Sequence, residues 1–445
     1  MKTPIDFKPF AYQRDMINFL ATHQQACLFA GCGLGKSVST LYAFDWLRKK
    51  SKVKAMLIVS PLRVTNLTWP AEVAKWSFSK DLKVANLRTK AGQIAYQNHA
   101  ADIYLINYES LHKIENVGAF DLVVFDELSK AKNPSSKRIN DFRKRFDSVQ
   151  ARWGLTGTPM PNGHLDLFAQ YRLIDEGVRL GHTEYQFKNR YFESDYMGYT
   201  WTLKNGAGRV IEDLVADVTC IMKSSDHLNI PDTHVIDHDV TMPATARKLY
   251  NELKKEFFIL IEDSEVVSPS AGVLVNKLKQ VTGGNVYAYE DDETKEGRHV
   301  VKLHDAKIKA LQKLIKDTDA PLLIAASYKH EIAEIVAATG AREWRDDLLD
   351  DWNAGKVEAI VAHPMSIGHG LNLQRGSHHL CWYSLDYSSE LYDQFNARLA
   401  RTGQDSETFV HRLIVKDSVD EAIVEALRNK DNTQNAFLEA MKRLS

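Results

Sequence analysis

Two short stretches of this chain hold residue types that could bind a nucleoside triphosphate and cleave it. The first is the glycine-rich loop at residues 30–37, AGCGLGKS. Its glycines, Gly33 and Gly35, let successive backbone N–H groups converge on one anion, and Lys36 adds a positive charge. The hydroxyl of Ser37 can hold Mg²⁺ beside the phosphates. The loop is therefore a candidate triphosphate site, with an ordinary surface turn as the structural alternative.

An acidic pair, Asp126 and Glu127, forms the second stretch. It directly follows a predicted strand at residues 121–125, and two acids at the end of a buried strand are costly unless the carboxylates have a task. Downstream of a phosphate-binding loop, Asp126 would help to place the Mg²⁺. Glu127 would orient or deprotonate the water that attacks the γ-phosphorus. A solvated acidic turn is the alternative here.

Apolar runs and helical periodicity predict the elements that position these groups. The loop lies between a strand at residues 26–30 and an amphipathic helix at residues 38–50, and further buried strands are predicted at residues 54–60, 102–106 and 121–125. A strand, a helix and a second strand in this order form a βαβ unit, and parallel sheets bind ligands at the carboxyl ends of their strands. We therefore expect a mostly parallel sheet with helices on both faces.

Three further residues of the first half are candidates because of their positions. Gln13 lies on a predicted helix upstream of the loop, where its carboxamide could offer one donor and one acceptor to an adenine edge. Arg63 and Thr65 follow the strand at residues 54–60 and could contact a phosphate backbone. A capped helix start explains these two residues nearly as well.

The composition is that of an ordinary soluble globular protein. The chain has 445 residues, of which 44% are hydrophobic and 26% charged, enough for two or three domains. A formal net charge of −1 excludes a global electrostatic attraction to nucleic acid, so any such site must be local. Its four scattered cysteines favour a reducing compartment, and no apolar run is long enough to span a membrane. We expect a cytoplasmic protein that does not contact a membrane.

Residues 394–404, QFNARLARTGQ, carry a third motif in the second half of the chain. Arg398 and Arg401 are three residues apart and are predicted to share one helix face, from which planar guanidinium groups can bind phosphate oxygens bidentately. If the second half folds over the first, both would reach the γ-phosphate as arginine fingers. A solvated basic helix would not explain Gln394 or the final Gly-Gln pair.

Taken together, the motifs resemble those of the Swi/Snf-type helicase-like ATPases of helicase superfamily two. In the first half they are AGCGLGKS, SPLRV, INYES, DELS and LTGTP. In the second half they are the G-x-G-x-N-L element within residues 361–374 and Q-x-x-x-R-x-x-R-x-G-Q at residues 394–404. The resemblance implies an α/β fold of two tandem RecA-like P-loop lobes, at residues 1–233 and 234–445. The first lobe would carry a small insertion at residues 163–233.

The resemblance also implies cofactors, partners and further site residues. ATP and Mg²⁺ would bind in the first lobe, and Gly370 and Gln394 of the second lobe would contribute to the nucleotide site. The partner would be DNA, with duplex DNA favoured, contacted by residues at motif positions in both lobes: Arg63, Thr65, Asn107, Ser366 and Asn372. The implied function is a DNA-dependent ATPase that moves along double-stranded DNA, often without separating the strands.

The chain departs from the family pattern at positions close to the chemistry. The family usually has an acidic pair where Gly31 and Cys32 stand, Thr at the position of Ser37 and His at the position of Ser129. Insertions typical of large chromatin remodellers are short here, and no histone-reading or zinc module is left over. These features favour a compact member from a bacterial cell or a virus-infected bacterial cell.

Two other functions are open at this point. One is a strand-separating helicase that acts on DNA or RNA. The other is an ATP-gated DNA-binding switch that recruits a replication, recombination or restriction partner protein. Aromatic residues interleaved with Lys and Arg at residues 185–201 could stack on bases, but we favour a role in the core of a small helical insertion.

Overall fold

A computed structural model divides the chain into two compact units, Met1–Leu228 and Asn229–Ser445. The structure describes residues 3–115, 117–131, 133, 140, 146, 148–160, 163–194, 201–228, 230–262, 269–289, 297–367 and 371–428, without the side chains of 259–262 and 269–271. Within these ranges, no helix is both long and apolar enough to cross a lipid bilayer.

Strands and helices alternate along most of the first unit. The strands are β1 (Gln25–Ala30), β2 (Met56–Ser60), β3 (Val84–Asn86), β4 (Ile103–Asn107), β5 (Leu122–Asp126), β6 (Ala151–Thr156), β7 (Phe192–Ser194), β8 (Trp201–Leu203) and β9 (Thr219–Met222). The helices are α1 (Ala11–Thr22), α2 (Lys36–Lys49), α3 (Trp69–Lys75), α4 (Lys90–Gln97), α5 (Leu165–Asp175), α6 (Glu184–Tyr191), α7 (Ala207–Val215) and α8 (Ser224–His227). The strands predicted before and after the loop are confirmed, with ends shifted by one or two residues.

A seven-stranded parallel sheet in the order β3-β4-β2-β5-β6-β1-β9 is the centre of the first unit. Its five inner strands are buried on both faces, because alternate side chains enter two apolar layers, whereas the edge strands β3 and β9 are partly exposed. In β1, Ala26 and Leu28 pack in the layer that α1 and α2 cover, whereas Cys27 and Phe29 pack in the layer that α4 and α5 cover. The prediction of a parallel sheet with helices on both faces is confirmed.

The second unit repeats this architecture. Its strands are β10 (Thr233–Val240), β11 (Asn285–Ala288), β12 (His299–Lys302), β13 (Leu322–Ala325), β14 (Arg342–Glu343), β15 (Ala359–Ala362), β16 (His379–Trp382) and β17 (Thr408–Val415). Its helices are α9 (Ala244–Glu262), α10 (Pro269–Gly283), α11 (Ala306–Asp317), α12 (Lys329–Thr339), α13 (Leu349–Asn353), α14 (Pro364–Ile367), α15 (Ser389–Asn396) and α16 (Val419–Arg428). Six strands form a parallel sheet in the order β10-β17-β16-β13-β15-β14. The chain therefore has the predicted fold class, two tandem RecA-like lobes.

The segment predicted as an insertion, residues 163–233, is only partly separate from the sheet. Its strand β9 pairs in parallel with β1, so the end of the segment belongs to the main sheet of the first unit. The antiparallel hairpin of β7 and β8 stands outside that sheet. As favoured from the sequence, Phe187, Tyr191 and Phe192 are buried in the core, whereas Tyr185 is exposed.

A buried ion pair and its hydrogen-bond partners join four elements of the second unit, α10, α11, α16 and β17. Nζ of Lys307 lies 2.8 Å from Oδ2 of Asp420, and both side chains are almost fully buried. Lys307 also donates to the carbonyl of Tyr383, and Asp420 accepts from the hydroxyl of Thr282 and the amide of Val415. Because each charge has several partners, its loss would leave the opposite charge uncompensated in the interior.

Lys307→Met should therefore lower the free energy of unfolding by about 3–5 kcal/mol, since it leaves the Asp420 carboxylate buried without its cation. Urea unfolding followed by circular dichroism measures the change. Lys309→Met on the same helix is the control, because Lys309 pairs with Asp305 at the surface and its loss should leave the midpoint nearly unchanged. Equal midpoints for the two variants would contradict the importance of the buried pair.

Candidate active site

The strand order brings three predicted motifs to one edge of the first sheet. β6 lies between β5 and β1, with Asp126 paired to Leu155 and Phe29 paired to Thr156. The acidic pair, the T-G-T-P turn and the glycine-rich loop therefore leave adjacent strands at their carboxyl ends. This edge is where parallel α/β sheets bind ligands.

The glycine-rich loop has the backbone conformation that its glycines allow. Gly33 and Gly35 have φ values of +85° and +82°, in the left-handed region that side chains with a Cβ disfavour. Gly35 caps α2, so the N–H groups of the first turn, including that of the half-buried Ser37, point out of the helix toward the loop. This arrangement suits an anion at the helix N-terminus.

Lys36 is tied to the loop in this structure. Its Nζ donates to the carbonyl of Ala30 at 2.6 Å and to that of Gly31 at 3.4 Å. Gly157, from the turn after β6, is close by, since a Cβ added there would lie 3.7 Å from Nζ. The ammonium group therefore sits at the edge of the sheet, beside a turn of small residues that follows β6.

Asp126 is a buried carboxylate with several donors around it. Trp69 donates its indole N–H to Oδ2 at 2.9 Å, and the amide of Glu127 donates to Oδ1 at 3.1 Å. Burial, with a smaller contribution from the charge of Glu127, raises the pKa of Asp126 to about 7 against the opposing effects of Lys36 and of these two hydrogen bonds. Lys36 and the two N–H donors therefore do not fully offset the effect of burial on this carboxylate. An added cation would stabilise its ionised form.

Glu127 has the left-handed backbone conformation, with φ of +56°, which is unusual for a residue that has a side chain. The hydroxyl of Tyr108 donates to the carbonyls of Asp126 and Glu127 at 3.0 and 3.4 Å, and this clamp holds the turn. Such strain persists only where surrounding contacts impose it, and it is typical of functional turns. The Glu127 side chain is half-buried, whereas that of Asp126 is buried.

The donor set fits Mg²⁺. Asp126 and Ser37 offer hard oxygen ligands, and a magnesium ion at a triphosphate takes few ligands from the protein because phosphates and water supply the rest. The structural observation that supports the fit is the position of Asp126, a buried carboxylate at the carboxyl edge of the sheet, where an added cation would stabilise its ionised form. Among the described residues, no cluster of three or more His, Cys, Asp or Glu side chains could hold a metal by itself.

Gln13 lies on α1, as predicted, and its carboxamide is bonded to the chain itself. Oε1 accepts from the amide of Phe10 at 3.0 Å, and Nε2 donates to the carbonyl of Leu34 at 3.2 Å. A Cβ on Gly35 would lie 2.6 Å from Nε2. Gln13 therefore supports the loop directly. Its predicted pairing with adenine stays a prediction.

The predicted nucleic-acid residues of the first unit are in different environments. Arg63 is half-buried in the first turn of the helical segment after β2. Thr65 is fully buried, and its hydroxyl bonds to the Ser60 hydroxyl at 2.7 Å and to backbone carbonyls. Asn107 is also buried, and its amide donates to Glu109 at 2.6 Å. In this conformation Thr65 and Asn107 have no surface to offer an external strand, so we do not retain them as direct contacts.

The predicted helix through Arg398 and Arg401 is wrong. α15 ends at Asn396, and both arginines lie in the turns that follow it. Tertiary hydrogen bonds explain the difference, because Gln404 donates to the carbonyls of Gln374 and Ser377 and holds the segment against the preceding loop. These bonds outweigh the helical preference of the short Ala-Arg-Leu-Ala run.

The two guanidinium groups nevertheless converge. NH1 of Arg398 and NH1 of Arg401 donate to one carbonyl, that of Leu371, at 3.3 and 2.9 Å. Arg398 is 5% exposed and also donates to the carbonyl of Gln394 at 2.9 Å, whereas Arg401 is half-buried. The side-chain amide of Gln394 donates to Glu390.

The remaining predicted residues belong to the G-x-G-x-N-L element. Ser366 is exposed on α14, and its hydroxyl donates to the carbonyl of His363 at 2.7 Å. Asn372 is exposed, and its carbonyl accepts from the side-chain amide of Asn353. Gly370 lies outside the described residues. Ser366 and Asn372 are thus both exposed on the second unit, and their contact with DNA stays a prediction.

Sequence reasoning missed two side chains that shape this site. Trp69 contacts Asp126 across 57 positions of the chain, and no local pattern connects the two residues. Tyr108, which clamps the acidic turn, is part of the INYES motif, but its hydroxyl had no assigned role. Trp69 could be found only from the packing of the segment after β2 against the end of β5.

Residues 12–285 match the family model of the SNF2-related domain. The chain is 33% identical over 470 residues to "Putative protein p41" of Acyrthosiphon pisum secondary endosymbiont phage 1, with 100% of both chains covered. It is 23% identical to "Putative ATP-dependent helicase/translocase YwqA" of Bacillus subtilis, in an alignment that covers 93% of this chain but only 47% of that protein. The solved "Sulfolobus solfataricus SWI2/SNF2 ATPase core in complex with dsDNA" is 18% identical with a TM-score of 0.44, and the alignment covers 100% of this chain and 98% of that one.

Without Mg²⁺ or nucleotide, Asp126→Asn should remove a pH dependence of stability. The carboxyl ionises near 3.8 in the unfolded chain but near 7 in the folded one, so the folded state holds an extra proton between these values. The free energy of unfolding of the wild type relative to that of Asp126→Asn should therefore fall as the pH rises from about 4 to 7, by up to about 4 kcal/mol. Urea unfolding at pH 5, 6, 7 and 8 in chelator measures the slope.

The decisive quantity is the slope of the free energy of unfolding against pH. The absolute stability of Asp126→Asn also changes for another reason, because an Asn amide has only one acceptor oxygen for the two N–H donors. Asp81→Asn, in an exposed turn, is the control and should keep the wild-type slope. If the free energies of unfolding of wild type and Asp126→Asn change with pH in parallel, burial does not raise the pKa of Asp126 as stated.

Proposed function

The chain belongs to the SNF2-related family, and from this premise we propose that it hydrolyses ATP and uses the reaction to move along double-stranded DNA. The observation that carries the proposal is the carboxyl edge of the first sheet. There the loop with Lys36 and the strained acidic turn with Asp126 and Glu127 leave strands on either side of β6.

The loop binds the phosphates in this proposal. The N–H groups around Gly33 and Gly35 and the first turn of α2 donate to phosphate oxygens, and Lys36 exchanges its two carbonyl partners for the β- and γ-phosphates. Ser37 and Asp126 would hold the Mg²⁺, which supplies charge neutralisation on the phosphates when bound. Gln13 orients the loop through the Leu34 carbonyl.

Glu127 orients or deprotonates the attacking water. Its turn is held by Tyr108, and its side chain is half-buried whereas that of Asp126 is buried. In this proposal Asp126 serves the metal and Glu127 accepts or orients a proton. Arg401 and Arg398 supply positive charge to the transferring phosphoryl group, Arg401 because it is the less buried of the two and Arg398 mainly by fixing the segment.

Movement on DNA is the part of the proposal that rests most on family membership. Arg63 of the first unit and Ser366 and Asn372 of the second are the candidate contacts, one set in each unit. Two sets of contacts whose separation changes during each cycle of hydrolysis would step along a strand. A net charge of −1 requires such contacts to be local.

A panel of ATPase rates tests the function. We expect stimulation by duplex DNA, displacement of a third strand from a triplex, and no separation of a forked duplex. Unwinding of the fork, or stronger stimulation by RNA, would indicate a strand-separating helicase instead. Tightly bound ATP with no stimulation by any nucleic acid would indicate an ATP-gated switch and contradict the motor.

Glu127→Gln should keep ATP binding but lower kcat by about 10²–10⁴-fold, because the amide cannot accept the proton of the attacking water. Steady-state ATPase measurements with duplex DNA and equilibrium binding of a fluorescent ATP analogue separate the two effects. The control is Glu115→Gln, an exposed residue remote in sequence from the acidic turn. Normal turnover in Glu127→Gln would remove the residue from the mechanism.

Arg401→Ala should lower kcat by about 100-fold or more, with little change in ATP affinity or thermal stability. Arg398→Ala should in addition lower thermal stability, because that side chain is buried and bonded at two carbonyls. Arg375→Ala, an exposed arginine of the same unit, is the control for loss of charge. If Arg401→Ala hydrolyses ATP like Arg375→Ala, the role proposed for Arg401 is wrong.

A further inference from the structure

The last stretch of the first unit, residues 219–228, lies against the phosphate-binding loop. We call this stretch the strap. It begins as β9, which pairs in parallel with β1 from Cys27↔Thr219 to Ala30↔Met222, and thus leaves the sheet at the same edge as the loop. The amide of Gly31 donates to the carbonyl of Met222 at 3.0 Å. The strap therefore continues the hydrogen bonding of the sheet into the loop.

A side chain of the strap fills the space beside Gly31. The backbone of Gly31 avoids the left-handed region, so its conformation does not require glycine. A Cβ at this position, however, would overlap Oγ of Ser224 and lie 3.2 Å from both Cβ and N of Ser224. Rotation of the hydroxyl would relieve only part of this crowding. The absence of a side chain at position 31 and the presence of Ser224 are therefore linked.

The Ser224 hydroxyl also orients a peptide group of the loop. It donates to the carbonyl of Cys32 at 3.0 Å. Because the C=O and N–H of a trans peptide point in opposite directions, this bond turns the N–H of Gly33 away from the strap. The Gly33 amide is one of the backbone donors with which a loop of this type binds phosphate.

A second contact fixes the strap at its other end. The ring of His227 stacks on that of Tyr12, with centroids 4.9 Å apart. Tyr12 adjoins Gln13, which donates to the loop carbonyl of Leu34. The strap therefore contacts the beginning of the loop directly, and it contacts α1, which supports the other end.

We propose that Ser224 is a positioning residue for the nucleotide, which together with Gly31 holds the loop in the conformation that receives a triphosphate. The inference rests on the proposed ATP-binding function of the loop and goes beyond it by assigning part of the loop's shape to a residue 192 positions away in sequence. The pair acts on affinity for the nucleotide, not on the chemical step.

A double-variant cycle tests the pair. Gly31→Ala should raise the KM for ATP and the Kd of a fluorescent ATP analogue about tenfold, because the new methyl group expels the Ser224 hydroxyl from Cys32. Ser224→Gly should raise both about threefold through the lost hydrogen bond. The double variant should bind ATP like Ser224→Gly alone, since the glycine makes room for the methyl group. In all three, kcat should change by less than about twofold, because the pair leaves the chemical step alone.

Ser225→Ala is the matched control, because the neighbouring hydroxyl is exposed and donates to Asp226 next to it rather than to the loop. It should leave KM, Kd and kcat at the wild-type values. Hydrogen exchange without nucleotide supplies a second readout: Gly31→Ala should speed the exchange of amides in residues 219–228, and the double variant should restore their protection to the level of Ser224→Gly.

The outcomes separate this inference from the proposed function. Failure of Ser224→Gly to rescue Gly31→Ala in both binding and exchange would overturn the positioning role. If the wild-type protein and Lys36→Ala bind ATP equally poorly, the proposed function fails. The exchange measurement needs no nucleotide, so unchanged exchange of residues 219–228 in Gly31→Ala would overturn the steric pair in that case too.

Discussion

The chemistry that we propose for the first unit depends on a carboxylate, Asp126, that is buried at the end of a strand and yet must accept a cation. Asp126 meets this condition incompletely: two N–H donors and Lys36 favour its ionised form, but burial and Glu127 disfavour it, and its pKa settles near 7. A bound Mg²⁺ would supply the missing positive charge. Lys36 in turn donates to backbone carbonyls of the loop, and phosphate oxygens would be stronger partners for its ammonium group.

The order of strands determines which groups lie near both Asp126 and Lys36. β6 separates the acidic strand from the loop strand, so the turn that follows β6 stands between Asp126 and Lys36. The residues there are small: the Thr156 hydroxyl accepts from the amide of Thr158 at 3.1 Å, and Gly157 leaves room for Nζ of Lys36. A large side chain at position 157 would enter the space that Lys36 needs.

The strands, the loop and the acidic turn were predictable because each has a local signal: a short apolar run, a glycine pattern, or polar residues directly after a buried strand. The turns at Arg398 and Arg401 were not, because long-range bonds from Gln404 to Gln374 and Ser377 override the helical preference of a short run. The burial of Thr65 was not predictable for the same reason, because its hydroxyl bonds partly to a carbonyl of β4. The hydrogen bond from Trp69 to Asp126 is also long-range. A pattern read along the chain contains no information on which distant residue closes a hydrogen bond.

At position 31, where this chain has glycine instead of the acidic residue of the family pattern, a distant residue, Ser224, contributes to the shape of the loop. The family pattern usually has an acidic side chain at this position, and its Cβ would need the volume in which Ser224 stands. In this chain a residue of the strap occupies that volume and bonds to Cys32, so part of the support for the loop comes from outside it. The strap is also the end of the first unit, because Leu228 is the last residue of that unit and β10 of the second begins at Thr233. The proposed phosphate-binding loop is therefore shaped in part by the segment with which the first unit ends.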